Sequence, residues 1–225
     1  MTQWIEESEG GRDRGPAGLA RAWVEVVTRP RRFFHNGVAP GDQAPGLVFA
    51  VGVSLAYVSV RLTLVPDVRP VIAGRPGVSV VFALLATGLL LAPLTLHLAA
   101  ALATVSLMAV VDSRAGVSRT VQVVAYAAAP CALAGPPEPA LRLVATAYGA
   151  VLLVVGLATV HRTSLPRAAA AALLPGALVF GYGFGGFAAA VAVAGWIAGE
   201  LAALGIDVPV AVGVGPGPEP LRAFR

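Results

Sequence analysis

Lysine is absent from this 225-residue chain, and cysteine occurs once, as Cys131. A lone cysteine forms no intramolecular disulfide and no cysteine-based metal cluster. Lying between Pro130 and Ala132 in an apolar run, it reads as a small packing residue. Charge is scarce as well. Only 12% of the residues are charged, against about 25% in a soluble domain. That is too little to cover a water-exposed globule. With 57% hydrophobic residues and a mean hydropathy of +0.79, much of the surface must be solvated by lipid.

All 16 basic residues are Arg, and the net charge is +4. Abundant Ala, Val, Gly and Pro point to a GC-rich coding sequence and a prokaryotic source. The largest basic cluster is Arg29, Arg31 and Arg32. It forms no stripe of the kind nucleic acid requires, and a bilayer surface explains it more simply. The three His residues (His35, His97, His161) lack metal-ligand spacing. No nucleophile elbow and no Walker string is present. Neither a catalytic residue nor a cofactor or metal site is therefore expected.

What is present is a series of long apolar runs. Residues 1–16 are polar and read as a flexible tail. In residues 17–28, Leu19, Ala22, Trp23, Val26 and Val27 share one helical face, with Arg21, Glu25 and Thr28 on the other. This segment is too short to span a bilayer. The next stretch adds Arg29, Arg31 and Arg32 to Phe33 and Phe34. Aromatic rings and guanidinium groups suit the interface. Residues 17–45 are thus expected to be an amphipathic membrane-surface segment, with Trp23 toward the acyl chains.

Residues 46–205 form the transmembrane helical domain. Spanning segments are expected at about 47–65, 78–111, 120–134, 141–160 and 168–182. A sixth hydrophobic segment covers 187–204, and the tail 206–225 is irregular. The 78–111 run is too long for a 30 Å core and should bend at Pro93. The glycines at 181–186 should make a turn, giving a hairpin. The fold class is all-α integral membrane: five transmembrane helices, a sixth segment and an N-terminal surface helix. No cleavable signal peptide is expected, so the first spanning helix directs insertion. Arg counts place the N-terminus and the 112–119 and 161–167 turns in the cytoplasm, ten against four.

Three strings carry a resemblance: TRPRRFF at 28–34, DSRAGVSRTVQVVAYAAAPCAL at 112–133, and GLATVHRTSLPRAAAAALLP at 156–175. In these features, over roughly residues 20–180, the chain resembles the YIP-domain proteins, the Ypt/Rab-interacting multispanning membrane proteins. The resemblance implies a five-helix membrane domain with a cytoplasmic N-terminus. Eukaryotic members serve vesicle trafficking and bind small GTPases, a role not carried over to a prokaryotic chain. The segment after Phe187 departs from the five-helix pattern.

Two ionisable residues fall inside apolar segments, His97 and Glu200. Such residues are functional candidates by default. The competing reading for His97 is a neutral ring bonded to a backbone carbonyl or to a nearby Thr such as Thr95; for Glu200 it is a place near the interface or against packed protein. His161, Arg162 and Arg167 make a basic turn, either a phosphate or headgroup site or a topology determinant. The functional expectation is a non-enzymatic scaffold or adaptor in the cell membrane. Its partners are the lipid bilayer and other membrane proteins or a second copy, not nucleic acid. The alternative is a small transporter or channel with His97 in the pathway.

Overall fold

The computed structural model describes residues 15–72, 74–111 and 114–206. Those residues form eight α-helices joined by short turns, with no strand among them. They are α1 (Pro16–Thr28), α2 (Pro30–Asn36), α3 (Ala44–Leu64), α4 (Pro76–Val110), α5 (Val117–Ala127), α6 (Pro139–Val160), α7 (Leu165–Gly183) and α8 (Gly186–Ala203). Proline stands in the first turn of six of them. A missing N–H costs nothing there, because first-turn donors have no intrahelical acceptor. The expected tails 1–14 and 207–225 lie outside the described residues.

Five helices, α3, α4, α6, α7 and α8, are long and apolar enough to cross a membrane. They include the segment expected as sixth and omit the one expected as third. Residues 120–134 are not one spanning helix. The α-helix stops at Ala127, and a 3-10 helix occupies Ala129–Leu133. Pro130 explains the change, since it has no N–H for the Tyr126 carbonyl. Tight i→i−3 bonds take over, from Cys131 N–H to Ala128 O at 2.9 Å and from Ala134 N–H to Cys131 O at 3.0 Å.

This composite element nevertheless runs the full height of α6. Ala115, just before it, bonds His161 at the end of α6, and Ala134, just after it, bonds Arg142 near the start. It is the centre of the bundle, packed against α3, α4 and α6. Every residue from Thr120 to Ala127 is buried. The Tyr126 ring lies 4.8 Å from Phe33 and 5.0 Å from Phe49, centroid to centroid.

Proline also shapes the two longest spans. At 35 residues, α4 is about 52 Å long. The strain expected at Pro93 is taken up just before it by a π-helical turn, Thr87–Leu91, where Ala92 N–H reaches back five residues to Thr87 O. In α7, Pro175 precedes a second π-helical stretch, Ala177–Gly183, closed by Phe184 N–H to Val179 O at 2.9 Å. Hydroxyls on the spanning helices return to the carbonyl four residues back, as at Thr63, Thr87, Thr104, Thr146 and Thr159. That satisfies them where no water is available. The expected turn in the glycine cluster is present. Gly185 has φ 73 and α8 starts at the next residue. α8 packs on α6 and on the end of α7, and leaves Trp196 and Ile197 exposed.

The N-terminal helices are built into the bundle. α1 crosses its wall from α3 to α6. Leu19 and Ala20 share a cavity with Gly52 and Ala56 of α3, Trp23 Nε1 donates to Ala129 O at 2.7 Å, and Tyr148 of α6 donates its hydroxyl to Val27 O. Tyr148 lies twelve residues before the end of α6, about 18 Å along it. α1 therefore straps the bundle near half height. Its outward face carries Ala17, Ala20, Val24 and Thr28. Glu25, expected outside, is buried, and one carboxylate oxygen, Oε2, has no hydrogen-bond partner among the described residues.

Candidate functional site

The end of the bundle where α2, α5 and the α6–α7 turn meet is held by two side chains. Gln122 on α5 donates from Nε2 to Ala39 O at 2.6 Å, and Ala39 N–H donates to its Oε1 at 3.3 Å. This side chain ties the α2–α3 connection to the central helix. His161 does the same for the α4–α5 connection. Ala115 N–H donates to Nδ1 at 3.2 Å. The neutral ring therefore carries its proton on Nε2, 3.2 Å from Thr120 Oγ1, and donates it there. His161 is 3% exposed. Burial first, then Arg119 and Arg114, push its pKa down to about 4, so the ring stays neutral near pH 7.

Next to these ties lies a cleft of about 180 Å³. Arg119 from the first turn of α5, Arg162 from the α6–α7 turn and His35 from α2 line it, with Phe34 and Val38 as apolar wall. Arg162 ends α6 in a left-handed conformation, with φ 50. Thr163 N–H closes the turn on Ala158 O at 3.1 Å, the bond of a Schellman cap. Three further arginines, Arg31, Arg32 and Arg167, are exposed on the segments around this end.

Besides a cavity of about 450 Å³ between α3 and α4 beside Arg69, two more lie between spanning helices among the described residues. One, of about 160 Å³, sits between the π-helical turns of α4 and α7 and presents Ser54, Tyr57, Thr87 and Thr95. The other, of about 550 Å³, is almost wholly apolar and lies between α6, α7 and α8. His97 lines neither. It is exposed on α4, with Nδ1 2.8 Å from Pro93 O, the carbonyl-bonded alternative weighed for it. Glu200 is exposed near the end of α8.

Of the residues assigned to the membrane surface, Arg29, Arg31 and Arg32 are exposed and Trp23 is half-buried. Phe33 and Phe34 require a correction. Each is 1% exposed, so neither ring faces lipid. Phe33 packs on Tyr126, and Phe34 packs on Gly156, where an added Cβ would stand 3.0 Å from its ring. The physical reason is the kink at Pro30, which turns α2 inward against α6. Sequence reasoning also passed over Gln122 and Arg119. For Gln122 a signal existed: an amide within an apolar helix must find a partner. Arg119 gave no local sign, because its neighbours come from α2 and from the end of α6.

Fold and site together define a polytopic α-helical membrane protein whose N-terminal helices are structural parts of the bundle. The Yip1 domain model matches residues 24–187, from within α1 to the start of α8, and the chain belongs to the Yip1-domain family. α8 lies almost wholly beyond the matched region. No curated protein and no solved structure matches the chain.

Proposed function

We propose that the chain is a non-enzymatic membrane scaffold or adaptor of the cell membrane, with its N-terminus in the cytoplasm. One observation carries this reading: arginines from three separate segments gather at one end of the bundle. Arg31, Arg32, Arg114, Arg119, Arg162 and Arg167 belong to that end, and Arg61, Arg69, Arg75 and Arg142 to the other. Six against four favours the first end inside. A cationic face on a packed bundle is suited to holding anionic lipid or an acidic partner.

The test is copurification in mild detergent, comparing the natural chain with a variant in which Arg31 and Arg32 are Gln. Partners retained by the first and lost by the second support an adaptor. The alternative is a small transporter or channel with His97 in its path, and the exposure of His97 weighs against it. Solute flux into proteoliposomes that depends on the protein and is lost in His97→Ala would overturn the scaffold reading.

A further inference from the structure

Two arginines from distant parts of the chain, Arg119 and Arg162, line the 180 Å³ cleft together with His35. Among the described residues, no carboxylate pairs with Arg119 or Arg162. Among the described residues, the lining of the cleft thus carries positive charge and no negative charge. α5 begins at Val117, with Gly116 before it offering no side-chain cap, so the positive end of its backbone dipole adds to the same field. Burial, and then this same Arg119 with Arg114, holds the neighbouring His161 neutral.

The backbone of Arg162 points the same way. Arg162 is the only non-glycine residue with positive φ among the described residues. Glycine is the usual occupant of this position in a Schellman cap, and a side chain there is strained. The turn by itself gives no reason for an arginine. The cleft does, because Arg162 brings a cationic side chain to its lining from the end of α6.

We propose that the cleft binds a single phosphate group through Arg119 and Arg162, carried by an anionic phospholipid headgroup or present as soluble phosphate. Guanidinium forks match phosphate oxygens in pairs. The volume lies below the roughly 300 Å³ at which small-molecule sites begin. A phosphate and the first atoms of its ester fit, whereas a nucleotide does not. The site goes beyond the adaptor reading and stands or falls separately from it.

The full chain in detergent is titrated separately with phosphatidylglycerol, phosphatidylcholine and inorganic phosphate. Bound lipid is counted by native mass spectrometry and bound phosphate by phosphorus NMR. Arg119→Gln, Arg162→Gln and Arg162→Gly each lower the affinity for the bound anion about fivefold, and the double variant lowers it roughly twentyfold. Arg75→Gln, at the other end, leaves it unchanged. Arg162→Gly at the same time raises the thermal midpoint, so its loss of binding is not unfolding. Preference for phosphatidylglycerol without phosphate binding assigns the lipid headgroup. Saturable phosphate binding lost in the same variants assigns the soluble anion. Equal retention of both lipids with no phosphate binding overturns the site, and so does anion binding that survives Arg162→Gly.

Discussion

Trp23 Nε1 donates to the Ala129 carbonyl at 2.7 Å, joining residues 106 positions apart. The contact pins α1 to the 3-10 turn that contains Pro130, midway up the bundle. Trp23→Phe keeps the ring and leaves that carbonyl without its indole donor. The expected loss is about 1–2 kcal/mol, read as a lower thermal midpoint in detergent. An unchanged midpoint would mean that α1 is only loosely applied to the bundle.

Gly156 lets α6 approach the core closely. A Cβ there would stand 2.7 Å from Val123 Cγ1 and 3.0 Å from Phe34 Cζ. Gly156→Ala should cost about 1–3 kcal/mol through overpacking. Gly52→Ala, inside α3 where an added Cβ meets nothing within 4 Å, is the control and should hold or raise the midpoint. Equal behaviour of the two variants would contradict the packing of Phe34 on α6.

Gln122 serves both backbone groups of Ala39. Gln122→Leu fills a similar volume and leaves that N–H and C=O without the amide. A loss of about 2 kcal/mol is expected. Hydrogen exchange at Ala39 should rise in the variant, and protection equal to that of the natural chain would count against the tie.

His161 gives the chain a pH dependence with a definite sign. Its folded pKa, about 4, lies below the ordinary 6.5. Between those values the unfolded chain binds more protons, so stability is full above pH 6.5 and falls as pH drops toward 4. The whole effect is about 3 kcal/mol. His161→Gln cannot protonate and should flatten the thermal-midpoint profile over that window. A profile as steep in the variant as in the natural chain would assign the effect to another group.

α8 decides where the chain ends. It has 18 residues and a mean hydropathy of 1.6, and it follows a tight turn at Gly185. If it crosses, a reporter fused after residue 225 lies on the same side as a cysteine at position 115, tested in a Cys131→Ala background. Impermeant labelling of position 115 from outside whole cells would reverse the proposed orientation. A reporter on the side opposite position 115 would leave α8 outside the set of crossings.

Composition and periodicity alone made this a helical membrane protein. Twelve per cent charge cannot solvate the surface, and the apolar runs between proline- and arginine-bearing turns mark α3, α4, α6 and α7 within a few residues. The glycine cluster likewise marks the α7–α8 turn, because a left-handed residue there needs no Cβ. Tertiary structure alone decided which apolar faces meet protein and which meet lipid. In a bilayer both environments are apolar, so hydropathy carries no information about the choice. Phe33 and Phe34 looked like interfacial aromatics and are core residues for that reason; His97 lies on the exposed side of the spanning helix α4, bonded to the Pro93 carbonyl. The central element 117–133 was legible as apolar but not as broken, since the effect of Pro130 depends on what the neighbouring carbonyls bond instead. The basic cleft was half visible. His161 and Arg162 stand together in sequence, but Arg119 and His35 reach them only because Gln122 and His161 tie the ends of α2, α5 and α6 together.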